Sequence, residues 1–196
     1  QVPFGDTSLI VSAFTRRFGL QQYMVKGART AGKKGGSKAS FLQPGALLDL
    51  VVYHQESKQW QTIKEMKWVQ VYQQIMANIS RNAIALYLIE MLGKCLRQPE
   101  ANESLYQFSA SSLLLLDECD NAVAANLPLH FTLQLADQLG FRIENNYQPE
   151  LPYLDLQAGY FVAEPPIHGL YLDAALSLLT HQLLLHPTAI TLYRIR

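Results

Sequence analysis

Near Tyr72 the hydrophobic pattern of this 196-residue chain changes period, and that change limits what it can fold into. Before it, four stretches read as strands: TSLIVSAFT (7–15), LQQYMVKGA (20–28), ALLDLVVYHQ (46–55) and WQTIKEMKWV (60–69). They are rich in β-branched and aromatic residues and are separated by turn signals such as Phe18-Gly19 and ESKQ (56–59). No helical pattern lies between them, which predicts a small barrel or sandwich. After Tyr72, QQIMANISRNAIALYLIEMLGKCLR (73–97) carries apolar residues at helical spacing and predicts a helix entering a core. Three more helices are expected. One at 102–119 opens with Asn102 as cap. One at 127–140 has Pro128 near its start or at a kink, and Gly140 as a stop. One at 170–185 is closed by Pro187. YLDLQAGYFV (153–162) reads as a hairpin about Ala158-Gly159. The fold class is therefore α+β, with a strand domain at 1–72, a helical domain with a small β-hairpin at 73–196, and no internal repeat.

Charge changes sign at the same place. Net charge is formally zero, yet residues 1–72 carry ten Lys/Arg against four acids, and residues 73–196 carry six against twelve. From Thr7 to Leu48 there is no acidic residue at all. Such asymmetry predicts a polyanionic partner for the strand half. With 49% apolar residues the chain can bury a core, but no apolar run approaches the ~18 residues of a membrane span. Cys95 and Cys119 form no C-x-x-C pair, so no cysteine zinc pattern exists; both are expected as buried thiols, which fits a reducing cytoplasm. No signal peptide is visible, and the chain begins at Gln1, so further sequence is expected upstream.

The densest basic stretch nearly spells a nucleotide-binding P-loop. In GARTAGKK (27–34), Gly27, Gly32 and Lys33 fit G-x-x-x-x-G-K-[ST], but Lys34 stands at the hydroxyl position. A P-loop also needs a helix whose N-terminus meets the phosphates. Gly35-Gly36-Ser37 opposes one, and no acid at a strand end is placed to hold magnesium. The segment 30–40 reads instead as a low-complexity loop joining two strands. A solvated basic loop without ligand is one reading of it, and polynucleotide binding is another. Arg16, Arg17, Lys26, Arg29, Lys33, Lys34 and Lys38 would then meet a phosphodiester backbone by charge and counterion release. Tyr23, Tyr53, Trp60 and Trp68, on or beside the strands, could stack bases, although core or sheet packing is the default reading for each. Five His residues (54, 130, 168, 181 and 186) lie in five separate contexts, and no hydrolase or metal signature appears. Asp117, Glu118 and Asp120 read as a solvated helix end. No catalytic residue, cofactor or metal is expected.

The strand residues also resemble a known family. GDTSLIVSAFTRRFGLQQYMVKGAR (5–29), LQPGALLDLVVYH (42–54) and WQTIKE (60–65) are similar, in order, to the N-terminal domain of the bacterial recombination mediators of the RecO family. RNAIALYLIE (81–90), LLDE (115–118), LGF (139–141) and YLDLQAGYFV (153–162) match more loosely. The resemblance implies an N-terminal OB-fold β-barrel followed by an α-helical domain. It implies a non-enzymatic cytoplasmic, nucleoid-associated protein of DNA repair and recombination. Such a protein binds single- and double-stranded DNA and anneals complementary strands. With RecR it helps load RecA on DNA coated by single-strand-binding protein. Tyr23, Val25, Lys26, Gly27 and Arg29 fall on the family's Y-x-V-K-G-x-R pattern, which assigns DNA contact to Lys26 and Arg29; the other five bases rest on charge alone. A groove between helices would take the acidic C-terminal tail of single-strand-binding protein, with Arg81, Lys94, Arg97 and Arg142 as the nearby bases. Some relatives carry a four-cysteine zinc module; residues 141–170 hold no cysteine, so the zinc-free type is expected. The family pattern also predicts a first strand lying upstream and more helix beyond Arg196. Two other readings stand beside this one: a protein-interaction scaffold with an incidental basic loop, and a P-loop-like NTP-binding protein.

Overall fold

A computed structural model describes residues 1–30, 38–55, 57–96 and 99–185. Two compact units divide the chain, residues 1–118 and 119–196.

The first unit is built on five strands: β1 (Val2–Phe4), β2 (Ser8–Thr15), β3 (Gly19–Val25), β4 (Leu48–Tyr53) and β5 (Gln61–Trp68). Their order in the sheet is β1-β2-β3-β5-β4. All neighbours are antiparallel except β3 and β5, which run parallel over Tyr23↔Gln61 and Met24↔Thr62. Strand alternation selects the core face. Leu9 and Val11 of β2 and Tyr23 and Val25 of β3 are buried together with Ala28 and Leu42; Val52, Ile63 and Met66 pack against them. A bulge interrupts the outer ladder: Val51 faces Glu65 while Val52 faces Ile63, leaving Lys64 without a partner. Lys64 and Glu65 consequently both face solvent, and Met66 returns to the core side.

The closed barrel implied by the sequence is not formed. Among the described residues no ladder joins β1 to β4, so the sheet is open between those edges. Closure needs two strands long enough to pair, and β1 has three residues, all exposed. A strand does precede the Gly5-Asp6-Thr7-Ser8 motif, since Val2–Phe4 pairs with Ser8–Ile10.

Three helices complete this unit: α1 (Gln74–Ala77), α2 (Ile79–Cys95) and α3 (Glu103–Glu118). The single helix expected at 73–97 breaks at Asn78, whose extended backbone and side-chain Oδ1, accepting from the Ser80 and Arg81 N–H groups, start α2 anew. Tyr72 anchors the passage from sheet to helix by donating its hydroxyl to the Gly45 carbonyl at 3.0 Å.

The second unit contains α4 (Asn121–Gln138), a small sheet of β6 (Tyr153–Asp155), β7 (Tyr160–Val162) and β8 (Tyr171–Leu172) in the order β7-β6-β8, and α5 (Ala174–Leu185). The hairpin expected at 153–162 is present. Helix α4 starts six residues before the expected Leu127, because Asp120 caps it through the Val123 N–H and Pro128 lies inside the helix. The expected helix at 170–185 loses its first residues to β8, where Leu172 faces Leu154 across the ladder. Asp173 then caps α5 through Leu176 N–H. Buried Ser177 fastens α5 to the sheet by accepting from Leu154 N–H and donating to the Leu172 carbonyl. Cys95 and Cys119 are half-exposed rather than buried, and are not bridged. Among the described residues no helix is long and apolar enough to cross a membrane.

Candidate nucleic-acid interface

The basic residues of the first unit fall into two groups at opposite ends of β3. That strand is seven residues long, roughly 23 Å at the usual rise.

Lys26, Arg29 and Lys38 form one group. Ala28 is fully buried, and this pins the loop to the core while Lys26 and Arg29 on either side of it stay exposed. Backbone bonds hold the segment in place, with Arg29 N–H donating to Thr7 O at 2.9 Å and Ala39 N–H to Ala28 O at 3.2 Å. Gly27 supplies the left-handed turn at φ +65°, and the Thr30 hydroxyl closes it on the Gly27 carbonyl at 2.8 Å. Lys38 extends across to the Lys26 carbonyl at 3.5 Å. All three cations are exposed, and among the described residues none is engaged in an ion pair. Lys33 and Lys34 lie outside the described residues. The loop is followed by a four-residue 3-10 turn, Lys38–Phe41, rather than by the long helix of a nucleotide P-loop.

Arg16 and Arg17 form the other group, in the β2–β3 turn. Arg16 is exposed but paired: its Nε lies 3.2 Å from Glu103 Oε1 and its guanidinium sits 5.3 Å from the Tyr106 ring centre. Arg17 lies 5.3 Å from the Phe18 ring centre, and Phe18 stacks on His54 at 4.0 Å and 14°. Sequence reasoning missed this ring pair, because its members stand on different strands' ends.

The four aromatic candidates separate clearly. Tyr23 is 1% exposed and belongs to the core, so it cannot stack a base; burial raises its phenol pKa, against a smaller lowering from Thr15. Its spacing of two from Val25 on β3 is the signal that could have shown this. Trp60 is half-buried and meets Phe4 edge-on at 4.9 Å, and Trp68 is half-buried and stacked on Phe41 at 5.3 Å. Tyr53 alone among the four is open, at 61% exposure on the outer face of β4.

Of the four bases expected to hold an acidic tail, the three described ones each have a partner within their own unit. Arg81 is 5% exposed and its guanidinium donates to the Leu116 carbonyl, which makes it a structural residue. Lys94 pairs with Glu90 one helical turn away at 2.8 Å. Arg97 lies outside the described residues. Arg142 belongs to the second unit and faces Asp137 at 3.7 Å. The first unit does contain an apolar cavity of about 370 Å³ beneath the sheet, lined by Leu20, Leu50, Ile89, Leu92 and Leu113 among others, but neither Arg81 nor Lys94 lines it. The acids read as a solvated helix end are also reassigned: Asp117 is buried and accepts from the Gln73 and Ile75 N–H groups, and Asp120 caps α4. Among the described residues no three His, Cys, Asp or Glu side chains gather as a metal site.

The family description "Recombination protein O N terminal" matches residues 1–72, and "Recombination protein O C terminal" matches 76–148. A DNA repair protein RecO of Porphyromonas gingivalis is 32% identical over 168 residues, covering 85% of this chain and 68% of that protein. The chain belongs to the RecO family. The RecO of Christiangramia forsetii is 35% identical over 158 residues, covering 81% of the chain and 64% of the relative. The RecO of Flavobacterium johnsoniae is 31% identical, with 81% and 65% covered. The chain thus spans about two thirds of the length of these RecO proteins. The RecO N-terminal match contains both basic groups, the open sheet and the Phe18–His54 stack.

Proposed function

We propose that the first unit binds DNA, and that the chain acts without catalysing a reaction as a mediator of DNA repair and recombination in the cytoplasm, at the nucleoid. The observation that carries this reading is the way buried Ala28 turns the family motif outward, presenting Lys26 and Arg29 with Lys38 beside them. Exposed cations on an acid-free segment bind phosphates of single or double strands alike, and such contacts position without reading sequence. The open five-stranded sheet is read here as an OB-type fold, a class that binds oligonucleotides on its strands and loops. Annealing of complementary strands, work on DNA coated by single-strand-binding protein, and RecA loading with RecR belong to the same proposal. The test is strand annealing with and without single-strand-binding protein and with no nucleotide added. Annealing that demands ATP would overturn the non-catalytic reading.

An exposed apolar stripe on α1 and α2 favours a protein partner as a second reading. Met76, Ile79, Leu86 and Tyr87 face solvent, Ile79 at 89% exposure. Annealing left intact after deletion of residues 30–40 would favour that interaction role over the basic loop.

A further inference from the structure

We infer that Arg17, Phe18 and His54 form a base-stacking platform that gives the first unit a preference for single-stranded over double-stranded nucleic acid. The inference rests on the DNA-binding reading above and adds a second site to it, at the other end of β3 from Lys26, Arg29 and Lys38.

Hydrogen bonds brace the described residues of the two loops that meet there. In the β2–β3 turn, the Phe18 N–H donates to Thr15 Oγ1 and that hydroxyl donates to Gly19 O, both at 3.0 Å; the Gln21 side chain donates to Phe18 O at 2.8 Å. Gly19, at φ +62°, lies so close to Glu100 that an added Cβ would come within 2.1 Å of the Glu100 carbonyl oxygen. The β4–β5 loop is held by buried Gln61. Its Oε1 accepts from Gln55 N–H at 2.7 Å, and its Nε2 donates to the carbonyls of Gln55 at 2.9 Å and Lys58 at 3.0 Å. Where the loops touch, the contact is the parallel pair of Phe18 and His54. A rigid aromatic loses little freedom on binding, which is what a stacking site requires.

The chemistry around the rings suits a nucleotide. Arg17 is exposed, sits 5.3 Å from the Phe18 ring centre and, unlike Arg16, has no ion pair among the described residues. A guanidinium plane beside a ring is a surface on which bases stack. Lys58 adds an exposed cation on the β4–β5 loop. Glu56, the one acid in the two loop sequences, lies outside the described residues. Bases in a duplex are stacked on each other, so such a platform engages unpaired bases only. The Lys26 group meets phosphates of either form, which leaves strand selection to the rings.

The test uses the full chain and three probes of equal length: a single strand carrying 2-aminopurine, a fully abasic strand, and a duplex. Arg17→Lys keeps the charge and removes the plane; Phe18→Leu keeps the apolar bulk and removes the ring. Expected results are a change of 2-aminopurine fluorescence on binding, weaker wild-type affinity for the abasic strand, and single-strand affinity lowered about fivefold or more in each variant, with duplex affinity changed less than twofold. Wild-type single-strand affinity in a folded Arg17→Lys protein, or equal losses on strand and duplex, overturns the platform alone. Because Arg17 is exposed, that variant stays informative even if Phe18→Leu fails to fold. A triple change of Lys26, Arg29 and Lys38 to Gln should instead weaken strand and duplex together. A wild-type chain that binds neither overturns the DNA reading and the platform together.

Discussion

Asp117 caps the helical turn that holds Ile75, 42 residues before it in the sequence. Its Oδ1 accepts the Ile75 N–H at 2.8 Å and its Oδ2 the Gln73 N–H at 2.9 Å. Gln73, the residue at the cap position of α1, makes no side-chain cap bond of its own, so a carboxylate from the end of α3 supplies it. One residue earlier, the Leu116 carbonyl accepts from the Arg81 guanidinium on α2. The end of α3 therefore clasps both helices that follow the sheet, and it does so beside Tyr72, which bonds back to Gly45.

Replacing Asp117 by Ala is expected to leave two backbone donors without their partner in a buried site. Each such loss costs on the order of 1–3 kcal/mol, so a destabilisation of about 2–6 kcal/mol is expected. Asp117→Asn, which keeps one acceptor oxygen, should fall between that variant and wild type. Urea unfolding followed by tyrosine and tryptophan fluorescence measures both; Asp117→Ala as stable as wild type would refute the clasp.

Tyr72 makes the same junction sensitive to alkali. Burial first, then the charges of Asp117 and Tyr106, raise its phenol pKa well above the usual 10.0, and burial raises that of Tyr23 as well. The folded chain thus holds these protons more tightly than the unfolded chain. Their contribution is complete below pH 10 and is lost as pH rises through the folded values. Thermal midpoints should be flat from pH 8 toward 10 and fall above it. Tyr72→Phe should flatten that alkaline fall while costing about 1 kcal/mol at neutral pH for the lost bond to Gly45.

Asp155 behaves in the opposite sense, in the second unit. The Ala158 N–H is the largest influence lowering its carboxyl pKa from the usual 3.8; the Gln157 N–H and His168 add to it against a cost of burial. The Leu170 N–H donates to His168 Nδ1, which leaves Nε2 to donate to Asp155 Oδ2 at 3.2 Å. A depressed acid stabilises above its unfolded pKa, and the contribution disappears as pH falls through the lower folded value. Amide shifts of Gln157 and Ala158 should titrate below pH 3.8 in wild type and lose that transition in Asp155→Asn. A midpoint at or above 3.8 would contradict the assignment.

Much of the architecture was legible because strand and helix periods differ, and the parts that were not have physical reasons. Leu9, Val11 and Val25 could be placed inside from alternation alone. The bulge at Lys64 could not, since one extra residue leaves composition unchanged and only shifts the face. Pro128 marks either a helix start or a kink in sequence, and it sits within α4, whose first turn is fixed by Asp120. Tyr171 and Leu172 continue an apolar run into α5, so nothing local marks them as a strand. In the basic region, Lys26 and Arg29 stood out by motif and are exposed, whereas Phe18 and His54 become neighbours only when the two loops fold together.

The split of the basic residues yields a quantitative expectation for salt. If Lys26, Arg29, Lys33, Lys34 and Lys38 each meet a phosphate, the log–log slope of single-strand affinity against salt is roughly −3.5, and a fourfold rise in salt weakens binding about a hundredfold. Changing Lys26, Arg29 and Lys38 to Gln removes three such contacts and should make the slope shallower by about 2. Arg16→Gln should alter it far less, because the Arg16 guanidinium is already held by Glu103 and Tyr106; its cost appears in thermal stability instead. Tyr23→Phe, altering a side chain inside the core, should leave the slope and affinity unchanged. Fluorescence anisotropy of a labelled oligonucleotide across a salt series measures all four proteins. A slope equally steep in the triple variant would place the DNA elsewhere on the chain.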